Sequence, residues 1–222
     1  MEGATAIGRD AAPAHDFFER AQARLSLDVP LALNDPTAPA TRGDLDVDPE
    51  SWVRAGVTAT RPAAVLIPVI DRPEPAVLLT VRTAALASHA GQIAFPGGKI
   101  DAADSSPLVA ALREAEEEIG LDRARVHPIG YLDLYLTFSG FRILPAVARV
   151  EAGYSLTLNR GEVDDVFEVP LAFLMDAQNH ALHSRDWKGI VRKYYAMPFG
   201  ERYIWGVTAG ILRNLYERVY LG

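Results

Sequence analysis

The chain has 222 residues, of which 22 are Lys or Arg and 29 are Asp or Glu, so its formal net charge is −7. At about 100 to 200 residues per domain, this length predicts one domain with an extension, or two small domains. The acidic balance argues against a general nucleic-acid binder, which needs a basic surface to meet phosphates. The sequence contains no cysteine, which excludes disulfides, thiol nucleophiles and cysteine-ligated metal sites.

The N-terminal segment and the hydropathy pattern indicate neither export nor membrane insertion. Residues 1–15 carry an acid at Glu2 and have no apolar core, unlike a signal peptide. No apolar run approaches the roughly 18 residues that a membrane-spanning helix requires. We therefore expect a cytoplasmic protein without a membrane partner.

The first 60 residues differ in pattern from the rest of the chain. Residues 16–27 have helical spacing, whereas residues 29–61 are rich in Pro, Asp and Thr and show weak periodicity. We expect residues 1–60 to form a helix and an irregular arm that packs on a domain formed by residues 61–222.

Predicted strands and helices are mixed along residues 61–222, without the regular alternation of a doubly wound parallel sheet. Two strand-like runs, 63–70 and 76–82, flank a proline-containing turn and predict a hairpin. The pattern favours an α+β fold with helices packed on a mixed sheet. The further predicted strands are 93–95, 126–135, 142–150 and 163–169, and the predicted helices are 107–119, 171–175 and 205–220.

The helix predicted at 107–119 has clear boundary signals and carries an acidic face. Ser106 can cap its start, Pro107 takes the first helical position, and Gly120 follows its end. Its Leu, Ala and Ile side chains share one face, which we expect to pack on the core. The adjacent face carries glutamates.

Three glutamates of this helix converge. At about 100° per residue, Glu118 lies near 40° and Glu117 near −60° from Glu114. Like charges one turn apart are mildly destabilising, and these lie near the helix C-terminus, where the helix dipole favours cations. A divalent cation from outside the helix would compensate for both effects, and oxygen-only ligands are typical of Mg²⁺ or Mn²⁺. We therefore predict Glu114, Glu117 and Glu118 as the metal ligands.

Each of these features has an ordinary explanation when it is taken alone. A Glu-rich helix usually presents a solvated face, and the pair Gly97 and Gly98 alone is usually a turn. The combination is more specific, because a strand, a double glycine, a short acidic loop and a helix with convergent carboxylates follow one another in 91–121.

Residues 98–121 resemble the Nudix box, G-x5-E-x7-R-E-U-x-E-E-x-G-U, in which U is a bulky or aliphatic residue. The second half matches at Arg113, Glu114, Glu117 and Glu118. In the first half the acidic position is Asp104, and eight residues rather than seven separate it from the arginine. This departure looks like the coenzyme A diphosphatase branch of the Nudix hydrolases, which has a longer loop and often Asp here.

A second motif marks that branch, L-L-T-x-R-[SA]-x3-R-x3-G-x3-F-P-G-G, and residues 78–98 are similar to it. The match includes Arg82, Gly97 and Gly98, while Thr83 and Ala87 replace a small residue and an arginine. Segments 139–141, 159–171 and 204–210 also look like this branch. The resemblance covers roughly residues 63–215 and implies a Nudix-type α/β/α sandwich with a mixed β-sheet.

The resemblance implies metal-dependent hydrolysis of the diphosphate of coenzyme A or its derivatives, giving 4′-phosphopantetheine and adenosine 3′,5′-bisphosphate. A divalent metal would reverse the charge of the carboxylate face and polarise the phosphoryl oxygens. A carboxylate beside it could take the proton of the attacking water, and we place Glu117 first and Glu162 second in this role. Arg113 completes the predicted catalytic set because it can pair with one of the acids and fix its rotamer.

Substrate contacts are predicted around the glycine loop. Arg82, at a strand end, can bind a phosphate bidentately, with a surface ion pair as the alternative. Gly97 and Gly98 let the backbone approach a ligand, and Phe141 belongs to one of the segments that look like the branch. We expect a small-molecule substrate, no nucleic-acid partner, and a monomer or homodimer.

Two other functions are compatible with the sequence. Because Ala87 replaces the motif arginine, the substrate could be another nucleoside diphosphate derivative, such as a dinucleotide or an NDP-sugar. The other is a non-catalytic ligand sensor with the same fold. A pure binder, however, has no need of the repulsive cluster formed by Glu114, Glu117 and Glu118.

Overall fold

A mixed β-sheet of nine strands forms the centre of the protein in the computed structural model, which describes residues 16–38, 42–84, 91–187 and 189–221. A separate sheet of three strands follows it in the described part of the chain. The strands of the large sheet are β1 (Arg42–Gly43), β2 (Arg61–Asp71), β3 (Ala76–Arg82), β4 (Ile93–Ala94), β5 (Gly97–Lys99), β6 (Val126–Tyr131), β7 (Tyr135–Leu136), β8 (Phe141–Glu151) and β9 (Val163–Pro170), and those of the small sheet are β10 (Ala181–Trp187), β11 (Ile190–Phe199) and β12 (Arg202–Trp205).

Six α-helices lie within the described ranges, and none has the length and apolar composition needed to cross a membrane. The helices are α1 (Phe17–Arg24), α2 (Asp44–Val47), α3 (Pro49–Ala55), α4 (Pro107–Ile119), α5 (Leu171–Leu174) and α6 (Val207–Tyr216), which continues as a π-helix over Glu217–Leu221. Helix α4 packs on the large sheet, α6 contacts strands of both sheets, and the four-residue helices are single turns.

The large sheet runs in the order β1, β7, β8, β2, β3, β4, with β5 added to β2, β6 to β8 and β9 to β3. Its central pair is parallel, since β2 and β8 align along their whole length. The predicted hairpin is confirmed, because β2 and β3 pair antiparallel with Val69 opposite Val77. Strand β3 therefore lies beside the second half of β2, and β5 lies beside the first half.

Helices cover both faces of this sheet, which confirms the predicted α/β/α sandwich. On one face, Ala110, Ala111 and Ala115 of α4 pack on Ala64 and Leu66 of β2. Their short side chains let the helix lie close to the sheet. On the other face, α1 and α6 contribute to a larger core, which also includes residues of β2, β3 and β8.

The N-terminal segment packs on the sheet through buried contacts. Phe17 of α1 is fully buried, and Leu33 belongs to a cluster with side chains of β7 and β8. The buried guanidinium of Arg142 donates hydrogen bonds to the backbone carbonyls of Ala32 (2.6 Å) and Ala59 (3.2 Å). These bonds tie the segment to β8, because a buried arginine needs its donors satisfied.

Residues 29–61 are more ordered than predicted, since α2 and α3 form there. Asp48 explains both the start of α3 and its position. Its carboxylate accepts hydrogen bonds from the backbone N–H of Ser51 (3.3 Å), as an N-cap, and of Lys193 in β11 (2.9 Å). The same side chain therefore starts the helix and holds it against the small sheet.

The small sheet was not predicted, and two predicted boundaries are wrong. The last helix begins at Val207 and not at residue 205, because Gly206 has φ 63° and separates it from β12. The predicted strand 126–135 is divided into β6 and β7, and β6 itself has a register shift between Pro128 and Gly130. The other predicted strands and the helix at 107–119 are confirmed within a few residues.

Candidate active site

The predicted carboxylates lie where α4 passes along β5. Helix α4 begins as expected, with the Ser106 hydroxyl accepting from the backbone N–H of Val109 at 3.2 Å, and it ends at Gly120 with φ 68°. In β5, Gly98 pairs with Ala64 of β2. Because the alanine face of α4 packs on β2, its glutamate face is directed to β5.

Glu118 is the most deeply buried glutamate of α4, with its side chain 4% exposed. Its Oε2 accepts a hydrogen bond from the backbone N–H of Gly97 at 3.2 Å, and its Oε1 lies 3.7 Å from Nη1 of Arg82. The pKa of Glu118 is raised to about 7, mainly by burial and to a smaller extent by the charges of Glu114 and Glu162, against the opposing effects of Gly97 and Arg82. This carboxylate carries less compensating positive charge than its burial requires.

Glu114 lies directly against Gly98. A Cβ atom added to Gly98 would stand 2.6 Å from the carboxylate carbon of Glu114, so a larger residue would displace this carboxylate. Nη1 of Arg113 donates to Glu114 Oε1 at 2.9 Å. Burial still raises the pKa of Glu114, with smaller contributions from the negative charges of Glu117 and Glu162.

Arg113 connects the acidic loop to the helix. Its Nε and Nη2 donate to the two carboxylate oxygens of Asp104, each at 3.0 Å, and Nη2 also reaches the carbonyl of Lys99 at 3.3 Å. These bonds to Asp104 are the main cause that raises the pKa of Arg113, and they lower the pKa of Asp104. With its donors engaged in this way, Arg113 positions Glu114 and has no free fork for a substrate phosphate.

The two predicted general bases come from different segments, Glu117 from α4 and Glu162 from the loop before β9. Glu117 is 58% exposed in its side chain and lies 3.2 Å from Nη1 of Arg113 through Oε2. Glu162 precedes β9 and accepts a hydrogen bond from Nδ2 of Asn159 at 3.2 Å. Its charge acts on the pKa of both Glu114 and Glu118, so it belongs to the same electrostatic site.

The donors on this face fit a hard divalent cation. Glu114 and Glu118 offer carboxylate oxygens one helical turn apart, and the missing Cβ of Gly98 leaves space beside them. Across the described part of the chain, no three acidic or histidine side chains are already grouped as a metal cage. Glu117 would have to turn away from Arg113 to become a third ligand.

The structure places the remaining predicted substrate residues, Arg82 and Phe141, at ends of the two strands that flank β2. Arg82 ends β3 and reaches Glu118, and its Nε is buried without a hydrogen-bond partner among the described residues. Phe141 starts β8 beside Arg61, two strands from Gly98. Ala87, where the motif has arginine, lies outside the described residues.

Two contacts of the site were not predicted from the sequence. The backbone N–H of Gly97 donates to Glu118, and the guanidinium of Arg61 stacks on Phe141. Asp104 was placed at the acidic position of the box, but its paired bonds to Arg113 could be found only in the folded chain.

Comparison with known proteins identifies the family. The family model of the NUDIX domain matches residues 60–188. A protein from Yersinia enterocolitica named uncharacterized Nudix hydrolase NudL is 41% identical over 157 residues, which cover 71% of this chain and 80% of that protein. A protein of the same name from Yersinia pestis is 44% identical over 161 residues, covering 72% of this chain and 80% of its own length.

A solved structure shows a weaker similarity. The crystal structure of the Nudix hydrolase RenU from M. smegmatis aligns with 25% sequence identity and a TM-score of 0.42, over 49% of this chain and 70% of that chain. The family model covers more than half of the chain, and the Yersinia relatives cover most of it. The chain therefore belongs to the Nudix hydrolase family.

Proposed function

We propose that the protein hydrolyses the diphosphate of coenzyme A or one of its derivatives, giving 4′-phosphopantetheine and adenosine 3′,5′-bisphosphate, with Mg²⁺ or Mn²⁺ as cofactor. The observation that carries this proposal is the pair formed by Glu118 and Glu114, two largely buried carboxylates that lie against the backbone of Gly97 and Gly98. Nudix hydrolases generally use divalent metal ions. The choice of substrate is supported by the motif in residues 78–98.

The metal would be held by Glu114 and Glu118, with Glu117 as a further candidate. When bound, such an ion supplies positive charge that polarises phosphoryl oxygens and promotes the ionisation of water. The two glycines let a diphosphate approach the backbone of β5, since neither carries a side chain. The negative site and the negative substrate would otherwise repel each other.

Arg82 is the proposed phosphate-binding residue. Its guanidinium lies 3.7 Å from Glu118, and its buried Nε has no hydrogen-bond partner among the described residues. A donor left unpaired in a buried position costs free energy, and a phosphate oxygen would satisfy it. Arg82 would thereby hold the diphosphate beside the acid pair.

Glu117 is the first candidate for the general base and Glu162 the second. Hydrolysis adds the oxygen of water to one phosphorus, breaks that atom's bond to the bridging oxygen, and releases a proton. Glu117 is exposed and has a single arginine contact, so its carboxylate is free to turn towards this water. Glu162 acts electrostatically on the same pair and would accept the proton if Glu117 does not.

The test is product identification with a panel of diphosphates. Purified protein with Mg²⁺ or Mn²⁺ is incubated with coenzyme A, its oxidised and acyl forms, a dinucleotide and an NDP-sugar, and the products are read by mass spectrometry. We expect 4′-phosphopantetheine or its acyl form from the coenzyme A compounds. Hydrolysis of the dinucleotide or NDP-sugar alone would instead assign another nucleoside diphosphate derivative as substrate.

A matched pair of variants separates an enzyme from a ligand sensor. Glu117 and Glu116 are neighbours on α4, but Glu116 points away from the site and pairs with Arg123 at 2.7 Å. We expect Glu117→Gln to lower kcat by about 10²-fold or more, as for loss of a general base, and Glu116→Gln to leave it unchanged. A chain that binds coenzyme A without turnover in any variant would be a sensor.

A further inference from the structure

An exposed arginine is stacked on an aromatic ring at the start of the central strand pair. Arg61 is the first residue of β2 and Phe141 the first of β8, and the two stand opposite each other in the parallel ladder. The guanidinium carbon of Arg61 lies 4.0 Å from the centre of the Phe141 ring, and Nη2 donates to the carbonyl of Ser139. These contacts fix the orientation of the guanidinium, and the Arg61 residue stays exposed.

This stack lies on the face of the sheet opposite α4. Ala64 and Leu66 pack against α4, and successive side chains of a strand alternate between the two faces. Arg61, Ala63 and Val65 therefore share the opposite face, and Val65 indeed packs against the core on that side.

Lys99 adds a second positive charge to the same face. It stands opposite Ala63 in the antiparallel pair of β5 and β2, and directly opposed residues point to the same side. Both Lys99 and Arg61 are exposed, and no carboxylate of the described residues lies within 4.0 Å of either charged group. Two cations without acidic partners therefore stand together in a chain whose net charge is −7.

The distance from the carboxylate pair suits the two ends of one nucleotide. Gly98 lies opposite Ala64 on the adjacent strand, and Ala64 is three residues along β2 from Arg61. At standard strand spacings, the Cα atoms of Gly98 and Arg61 are therefore about 11 Å apart. No strand of the described part of the chain pairs with the outer edge of β5. A substrate that spans both groups would have to cross that edge, from the acid pair on one face to Arg61 on the other.

The chemistry of this surface fits an anionic group beside a nucleoside. A fixed guanidinium and an ammonium bind a phosphate, while Phe141 and the half-buried Ile143 offer an apolar surface to the nucleoside. Arg113 is engaged with Asp104 and Glu114, and Arg82 faces Glu118, so neither can meet a second phosphate. We propose that Arg61, with Lys99, binds the 3′-phosphate of the nucleotide half of the substrate. This inference rests on the proposed function.

The experiment compares ligands that differ only in the 3′-phosphate. Binding of adenosine 3′,5′-bisphosphate and of adenosine 5′-monophosphate is measured by titration calorimetry, and kcat/KM is measured for coenzyme A and 3′-dephospho-coenzyme A. We expect Arg61→Ala to weaken binding of the bisphosphate, and to lower kcat/KM for coenzyme A, by about 10- to 100-fold, the range for a hydrogen bond to a charged group. For the ligands without the 3′-phosphate, the same substitution should change affinity or kcat/KM by less than about threefold.

Two variants serve as controls. Arg61→Lys should recover part of the discrimination, since it keeps the charge but not the planar fork. Arg54→Ala removes an exposed arginine of α3 that pairs with Glu50 at 3.6 Å. It should change the binding of neither ligand. Lys99→Ala should reduce the preference for ligands with the 3′-phosphate less than Arg61→Ala does.

The outcomes separate this inference from the proposed function. If Arg61→Ala affects both members of each pair equally, or neither, or if the unaltered protein does not prefer the bisphosphate, the assignment of the 3′-phosphate is wrong. If the bisphosphate is preferred through Arg61 but coenzyme A is not hydrolysed, the phosphate site stands and the proposed function fails.

Discussion

Arg113 and Asp104 form a pair of parallel hydrogen bonds, Nε to Oδ1 and Nη2 to Oδ2, each 3.0 Å long. The same guanidinium donates to Glu114 at 2.9 Å and to the carbonyl of Lys99 at 3.3 Å. One side chain therefore joins the acidic loop, α4 and β5. Asp104 has a shorter side chain than the glutamate of the Nudix box, and it reaches Arg113 across a spacing that is one residue longer.

This relationship predicts the effect of Asp104→Asn. An amide keeps the shape but offers one acceptor and no charge, so the variant should lose about 1.5–3 kcal/mol of unfolding free energy, the range for a hydrogen bond to a charged group. Its kcat should also fall, because Arg113 no longer holds Glu114 in place. Urea denaturation and steady-state kinetics measure both effects.

Asp101 is the matched control for that variant. It lies 3.6 Å from Arg113 in the same loop, but its side chain is 66% exposed. Asp101→Asn should change stability by less than about 0.5 kcal/mol, as is usual for exposed pairs. Equal effects of the two substitutions would show that the paired bonds of Asp104 are not what positions α4.

A methyl group at Gly98 should disable the site while sparing the fold. The φ of Gly98 lies outside the left-handed region, so alanine fits the backbone, but its Cβ would meet the carboxylate of Glu114 at 2.6 Å. Displacing a catalytic group by about 1 Å can cost 10²-fold in rate. We expect Gly98→Ala to lower kcat by about that factor with a thermal midpoint within a few degrees of the parent protein.

Gly153 gives the opposite pattern and serves as the control. It has φ 77° in open surroundings, so Gly153→Ala introduces backbone strain without a steric contact. This variant should lose about 1 kcal/mol of stability and keep its activity. If Gly98→Ala retains full activity, the position of Glu114 is not critical for the reaction.

Asp44 should make the stability of the protein depend on pH. Its carboxylate accepts hydrogen bonds from the backbone N–H of Phe138 (2.7 Å) and the hydroxyl of Tyr135 (3.2 Å), and burial raises its pKa to about 6. Because this pKa lies above the ordinary value of 3.8, the folded chain takes up the proton more readily than the unfolded chain. The resulting stabilisation is complete below about pH 4 and is lost as the pH rises through 6.

The comparison with Asp44→Asn isolates this effect. Between pH 4 and 7 the parent protein should lose about 1–3 kcal/mol of unfolding free energy relative to the variant, because the amide does not titrate. The measurement is urea denaturation of both proteins across this pH range. Parallel stability curves would contradict the assignment, since all other titrating groups are common to both proteins.

The sequence was most informative where local signals decide the structure. The cap Ser106, the following proline and Gly120 bound α4 at the predicted residues, since helix ends depend on adjacent residues. Helical periodicity likewise placed Glu114 and Glu118 on one face. It could not show that Glu118 is buried and Glu117 exposed, because that depends on the approach of β5.

The small sheet could not be predicted from its own residues. β10 is largely exposed and carries polar side chains with no clear apolar alternation, so its pattern resembles that of a loop. Asp48, the N-cap of α3, accepts a hydrogen bond from the backbone N–H of Lys193 in β11, and these two residues are 145 positions apart. The stack of Arg61 on Phe141 also joins residues far apart in the sequence, since it requires β2 and β8 to pair in parallel.

The central claim is that Glu114 and Glu118 form an acid pair completed by a divalent cation. Titration of Mn²⁺ into the protein, followed by the electron paramagnetic resonance signal of the free ion, tests it most directly. We predict binding to the parent protein and to Glu116→Gln, and binding at least about tenfold weaker in Glu118→Gln and Glu114→Gln, since each removes a charged ligand. Mn²⁺ affinity in Glu118→Gln equal to that of the parent protein would contradict the account.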